Sequence, residues 1–263
     1  MVNSVEETGL EVVDLRIDSA FAARNLHTRD IGMQMTGLQR LSRAMVENPD
    51  TILQELVKTA VDLCGADSAG ISIETDNGND QEFYHWIATA GAYSGFLNAI
   101  LPREPSACGL CLERGHAQHF TVTKKFFDIL GVEAPLVTDG ILLPWKTEDT
   151  RGTIFVMAHG RTEAFDDNDA RLMTMLADFA AMGYRQQKQQ AQLIVQARAA
   201  AAAQMANHLA HEINNPLQSM TNAAFLVARG DPGSNPKALG QALSNDIERL
   251  SGIVRELLSL PLE

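Results

Sequence analysis

The sequence predicts two unlike parts: an α+β domain whose antiparallel sheet is flanked by helices, and an all-α helical hairpin joined to it by a long helix. Three observations carry this reading. Between residues 68 and 159 the apolar residues alternate or run in short blocks, as they do in strands. From Asp166 to Arg229 there is one proline, Pro216, and one glycine, Gly183, as in a long helix. After a Gly/Pro-rich break at Gly230 to Pro236, Leu239, Leu243, Ile247, Leu250, Val254 and Leu257 recur at steps of four, four, three, four and three, a heptad-like seam. At 263 residues the chain holds about two domains.

Taken in order, residues 1–29 show no sustained period and read as a flexible lead-in. The first domain spans 30–183. Met33, Leu38, Leu41 and Met45 form a helical stripe, and Pro49-Asp50 supplies a stop and a new N-cap for a helix through Leu53, Leu56, Val57, Ala60 and Leu63. SAGISIE at 68–74 and FYHWIATA at 83–90 read as strands joined by a turn centred on Asn77-Gly78. Leu136–Trp145 and Thr153–His159 read as two more, around a polar turn at Glu148, Asp149 and Gly152, and a helix begins near Asp166. Helices, strands, a central irregular stretch, strands and a helix make an α+β domain. Residues 184–197 form a helical linker whose seam weakens through Gln186 to Gln190, and a break in so long a helix is expected. The second domain spans 198–263. A two-helix hairpin cannot bury its own apolar stripe, so pairing with a second copy into a four-helix bundle is expected.

Composition narrows the function classes. The chain is 45% hydrophobic and 21% charged, ordinary for a globular protein. No apolar run approaches the roughly 20 residues of a membrane helix. Glu6, Glu7 and Glu11 stand where a basic signal region would be, so a cytoplasmic chain with no membrane partner is expected. Residues 1–183 carry 14 basic against 27 acidic side chains, and 184–263 carry 7 against 6. Without a basic patch, nucleic acid is not expected as a partner. Three cysteines do not make a disulfide framework.

Chemistry concentrates in Met205–Met220, MANHLAHEINNPLQSM. Leu209, Ile213, Leu217 and Met220 form an apolar stripe, which leaves His211 and Glu212 on more exposed positions. A neutral imidazole, with an unperturbed pKa of about 6.5, is a good nucleophile near neutrality. Glu212 next to it has the chemistry to hold the other ring N–H, and Asn215 lies one turn on. Pro216 has no N–H for the Glu212 carbonyl, so a bend is expected there. Taken alone, His211 reads as a surface histidine.

The run His-Glu-Ile-Asn-Asn-Pro-Leu between apolar helical segments resembles the phosphoacceptor box of sensor histidine kinases. The resemblance implies that His211 is phosphorylated, that Glu212 is its acid/base neighbour and that Asn215 positions water or the partner for dephosphorylation. His208 does not match the phosphoacceptor position and reads as a surface or packing histidine. Over about residues 195–260 the hairpin resembles the dimerisation and histidine-phosphotransfer domain of these enzymes. A homodimer and a response-regulator receiver domain follow as implied partners, the receiver docking near Met220, Thr221, Ala224 and Phe225. The resembled enzymes continue into an ATP-binding domain, whereas this sequence stops at Glu263 and holds no Gly-x-Gly. The expectation is therefore no cofactor in the chain itself and no self-phosphorylation, with ATP used only through a catalytic domain acting in trans or removed.

Residues 35–183 resemble a GAF domain, through LCGADSAGISI, PREPSACGLCLERGHAQHF and GTIFVMAHGRTEAFDDNDARLMTMLADFA. GAF domains are small-molecule sensor or dimerisation modules, so a small ligand is implied without its identity. Phe83, His85, Trp86, Phe96, Phe120, Phe126, Phe127 and Trp145 are candidates to line an apolar pocket or to fill the core. The Asp-Ile-Pro and Cys-His signatures of bilin-binding relatives are missing, as is the Asn-Lys-x-Phe-Asp-Glu pattern of cyclic-nucleotide binders. Cys108, Cys111, His116 and His119 have zinc-type side chains, but their spacing is tighter than in zinc fingers. The favoured reading is no metal, with both cysteines on a short helix and His119 on the next strand. The reading as a whole is a sensor and phosphotransfer chain. A non-catalytic ligand-binding or dimerisation scaffold with unphosphorylated His211 is the alternative, and a zinc-bearing redox sensor comes third.

Overall fold

The computed structural model describes residues 5–75, 77–229 and 235–258, and the chain divides into two compact units, Met1–Gln189 and Gln190–Glu263. The first unit contains β1 (Leu10–Asp14), β2 (Ser68–Glu74), β3 (Tyr84–Gly91), β4 (Ile100–Leu101), β5 (Gln118–Val122), β6 (Val137–Lys146) and β7 (Arg151–Ala158). They form one antiparallel sheet in the order β1-β5-β6-β7-β2-β3-β4. Its helices are α1 (Val5–Thr8), α2 (Ser19–Ala22), α3 (Ile31–Glu47), α4 (Ile52–Cys64), α5 (Ala107–Arg114), α6 (Lys124–Leu130) and the first part of α7 (Asp167–Arg229). The rest of α7 and α8 (Pro236–Leu258) make the second unit. The expected α+β domain with an antiparallel sheet, followed by a helical hairpin, is the fold of the chain.

Side-chain alternation sorts the sheet into two covered faces. Ile141, Leu143 and Trp145 of β6 and Ile154 and Val156 of β7 share a buried cluster with Leu56 and Val57 of α4 and Met173 and Leu176 of α7. On the opposite face Phe120, Leu142, Phe155 and Met157 meet Cys111 of α5 and Phe126 and Phe127 of α6. Each of these fully buried aliphatic side chains contributes about 1.5–3 kcal/mol relative to an exposed one. Because both faces are covered, the middle of β7 reads as an unbroken apolar run, not as an alternation. Glycines let large rings lie flat on the sheet. A Cβ on Gly70 would sit 2.4 Å from Phe155, and one on Gly140 would sit 2.5 Å from Phe120.

Several local expectations are corrected. Residues 10–29 are not a loose lead-in: β1 pairs with β5, Leu10 opposite Val122, and Phe21 is buried in the main core. Their partners lie about a hundred residues away, so no local period announces them. Asp50 does not cap α4. Pro49–Thr51 forms a single 3-10 turn and α4 starts at Ile52, while Asp30 caps α3 by accepting from Gly32 and Met33. Helix α7 runs unbroken from Asp167 through Pro216 to Arg229, so the expected break does not occur. The glutamines that weaken its seam have a use within the first unit. Gln186 Nε2 donates to the Met45 carbonyl at 2.9 Å, and Gln187 Nε2 to those of Pro49 and Asp50 at 3.0 and 2.8 Å. They satisfy carbonyls where α3 ends and the next turn begins. The turn at Asn77-Gly78 has Gly78 at φ +78°, but Asp76 lies outside the described residues, as do residues 230–234 of the predicted break.

A buried charge network ties the N-terminal segment to the sheet. Arg24 grips Asp139 on β6 through two nitrogens, at 2.8 and 3.1 Å, and donates to the Phe165 carbonyl at 2.7 Å. The His119 ring contacts Asp139 at 2.7 Å and Asp18 at 3.1 Å. Burial raises the Asp139 pKa, but His119 and Arg24 more than offset this and hold it below the ordinary 3.8. Asp67 is likewise lowered, by the His159 backbone N–H and Arg161 acting against burial, and Asp14 falls to about 2, chiefly through Arg16. A carboxylate with a depressed folded pKa adds stability that is complete above about pH 4 and drains away as pH falls towards the folded value. Both tryptophans lie in this unit, so their emission reports its unfolding alone. The urea midpoint is expected to fall between pH 6 and pH 3, and Asp139→Asn is expected to flatten that slope. An unchanged slope would remove Asp139 from the account.

Candidate functional site

Two places carry chemistry, one in each unit. In the second unit the box lies on α7. His211 and Asn215 are exposed, Glu212 is half-buried and Pro216 is buried. The covered apolar positions are Leu209, Ile213, Pro216, Met220 and Ala223, at steps of four, three, four and three. Pro216 therefore takes the seam position expected for Leu217, which is 45% exposed. A proline suits it there, since its ring is apolar and its missing N–H faces the Glu212 carbonyl one turn back.

On α8 the covered positions are Leu239, Leu243, Asp246, Leu250 and Ile253, again at steps of four, three, four and three. The predicted seam members Ile247 and Val254 stay 51% and 50% exposed, and the Leu257 side chain lies outside the described residues. Phe225, at 58%, and Leu217 are also uncovered. The hairpin thus satisfies one seam internally and leaves a second set of apolar side chains in solvent.

The geometry revises one expected contact. Glu212 does not reach His211; its carboxylate lies 3.6 Å from Nε2 of His208, one turn back. Consecutive helical residues project about 100° apart, whereas residues four apart share a face. Among the described residues no hydrogen bond or ion pair engages the His211 ring, which stands in solvent as a nucleophile must.

In the first unit a cavity of about 520 Å³ lies between the sheet, α5, α6 and the loop around β4. Trp86, Phe96, Phe120, Phe126 and Phe127 line it, as the sequence suggested, together with Tyr93 and Phe155, which the sequence reading missed. Trp145 packs on the opposite face against Tyr184, and Phe83 packs with Tyr84 and Cys108 beside α5. Alternation within TIFVMA, with Gly70 on the neighbouring strand, was the signal that could have found Phe155.

Cys108, Cys111, His116 and His119 are not brought together as a metal site. Cys108 accepts from Thr153 Oγ1 at 3.2 Å, Cys111 donates to the His116 carbonyl at 3.5 Å, and the His119 ring is engaged by Asp18 and Asp139. Burial pushes the thiols of Cys64, Cys108 and Cys111 upward, which keeps them protonated and unlike metal-bound or redox-active thiolates. A different trio, His27, Asp166 and Asp169, lies close enough to share an ion. Its carboxylates are already engaged. Asp166 accepts from the backbone of His27, Asn168 and Asp169, and Asp169 holds Arg29 at 2.8 and 3.0 Å. This arrangement caps α7 and anchors the chain before α3.

Comparison with known proteins decides the family. The GAF domain model matches residues 48–183, more than half of the chain, and the His Kinase A (phospho-acceptor) domain model matches residues 201–261. The chain belongs to the GAF domain family and carries a His Kinase A segment after its GAF domain. The GAF match takes in β2 to β7 with α4 to α6 and the start of α7, and the phospho-acceptor match contains His211. No curated protein matches the chain. Among solved structures it is similar to the GAF domain of an Acinetobacter phosphoenolpyruvate-protein phosphotransferase, with 13% identity, TM-score 0.47, and coverage of 59% of this chain and 93% of that one. The second GAF domain of DevS from Mycobacterium smegmatis is 20% identical, with TM-score 0.43 and coverage of 56% and 99%. Free methionine-R-sulfoxide reductase from Neisseria meningitidis is 15% identical, with TM-score 0.48 and coverage of 64% and 98%. Among the described residues no helix is long and apolar enough to cross a membrane.

Proposed function

We propose that this chain is a phosphotransfer element of a two-component system, in which His211 accepts a phosphoryl group and passes it to an aspartate of a response-regulator receiver under control of the GAF domain. The observation that carries the reading is the exposed, unengaged His211 ring within the matched phospho-acceptor segment. A lone-pair ring nitrogen attacks the terminal phosphorus of ATP, held by a separate catalytic domain. The P–N bond forms as the bond to the ADP oxygen breaks, and the ring, positively charged at that moment, returns to neutrality by losing its N–H proton. In the second step the receiver carboxylate attacks phosphorus, the P–N bond breaks and neutral imidazole is restored once the ring regains a proton. Asn215, exposed one turn on, takes the role of orienting water when phosphate is instead removed. Glu212 serves as the acid/base neighbour, which requires its side chain to leave His208 during the reaction.

The uncovered Leu217, Ile247 and Val254 support pairing with a second copy, because a bundle of four helices would remove them from water. Thr221, Ala224 and Phe225 remain exposed beyond the histidine, with half-buried Met220, as a docking surface for the receiver. The deciding experiment incubates the chain with labelled ATP, alone and with a separately supplied catalytic domain. Acid-labile, base-stable label that then moves to a receiver supports the reading. A chain that stays unlabelled with every supplied catalytic domain, yet retains a small molecule, favours the scaffold alternative.

A further inference from the structure

The cavity of the GAF domain has a composition that restricts what it can hold. Trp86 and Tyr93 stack with ring centroids 6.0 Å apart, and Phe155 lies 4.9 Å from Trp86. Phe96, Phe120 and Phe127 add to a wall that is mostly aromatic and aliphatic. Among the described lining residues there is no Lys, Arg or His, and the ionised one is Glu104, a solvent-exposed carboxylate. Two polar groups of the lining are already engaged. The Tyr93 hydroxyl donates to the Pro135 carbonyl at 2.7 Å, and Ser106 Oγ accepts from Gly109 at 3.2 Å. The indole nitrogen of Trp86 is buried with no partner. Ile100 and Ile129, 54% and 50% exposed, stand where the lining meets solvent and leave a way in.

A carboxylate or phosphate entering this space would leave water without gaining a cation, a penalty that its apolar contacts do not offset. A neutral ring compound loses little hydration and gains stacking against the aromatic wall. We propose that the cavity binds an uncharged, predominantly apolar ring compound and discriminates against anions of the same shape. The inference rests on reading the GAF domain as the input module, and it names the class of molecule that domain senses.

The test uses the full chain with Trp145→Phe, which leaves Trp86 as its single tryptophan. Trp145 Nε1 is buried without a partner, so this substitution breaks no hydrogen bond. Quenching of Trp86 emission is titrated with 2-acetonaphthone, which is neutral, and with 2-naphthoate, an anion of similar shape. The ketone is expected to quench saturably and the naphthoate to bind ~tenfold more weakly or worse, as an unpaired buried charge requires. Adding Ile129→Arg, at a half-exposed wall position, is expected to narrow the gap by strengthening naphthoate binding. Equal affinities for the two probes, ketone quenching that never saturates, or a gap indifferent to the new arginine would each overturn the proposal. No phosphate is involved, so failure here leaves His211 transfer standing, and an inert His211 leaves the binding result standing.

Discussion

His211→Gln is expected to reduce phosphate uptake from a supplied catalytic domain, or from a phosphorylated receiver, to background, while His208→Gln keeps it. Glutamine preserves size and polarity at an exposed position, so the fold should be indifferent to it. What it lacks is a ring nitrogen with a lone pair at neutral pH, which is the nucleophile itself. The His208 control matters because Glu212 lies 3.6 Å from that ring. If the pair merely stores the carboxylate away from the reaction, His208→Gln frees Glu212 and the rate holds or rises. Label that persists in His211→Gln, or that disappears only in His208→Gln, would assign the chemistry to the wrong imidazole here. Measuring acid-labile label on both variants, with circular dichroism as a folding check, separates these outcomes.

Arg24→Met is expected to destabilise the GAF domain by about 3–5 kcal/mol, because removing one member of a buried ion pair strands the other. The Asp139 side chain is 1% exposed and Arg24 is 10% exposed, so water does not replace the lost guanidinium. The same side chain also leaves the Phe165 carbonyl without its donor and uncovers the Phe21 ring, over which Arg24 sits at 4.5 Å. His119 remains as a partner of Asp139, which places the effect nearer the lower end. Adding Asp139→Asn should recover part of the loss, since the stranded charge is then gone. Urea unfolding followed by tryptophan emission reads the single and the double variant. A single Arg24→Met loss below about 1 kcal/mol would mean the pair behaves as a surface contact.

Much of this protein was legible before any coordinates. The strands at 68–74 and 137–158 announced themselves because short apolar blocks between turn residues have few other ways to fold. The hairpin announced itself because a repeat of three and four has one helical reading. The phosphoacceptor box was legible for a different reason: its residue types and spacing are a chemical requirement, independent of packing. The four cysteines and histidines at 108–119 carried no such requirement, and the fold separates them into a thiol-bearing helix and a charge network.

Sequence by itself determined the α+β and hairpin architecture, the exposed character of His211 and the aromatic richness of the GAF interior, since each follows from local period and side-chain chemistry. Tertiary structure alone decided that β1 pairs along the edge of the sheet, that Arg24 pairs with Asp139, that Gln186 and Gln187 satisfy carbonyls near the end of α3, and that Pro216 takes the seam from Leu217. Each of these depends on which distant or neighbouring surface a side chain meets. Such pairings are set by the folded geometry and leave no period in the chain.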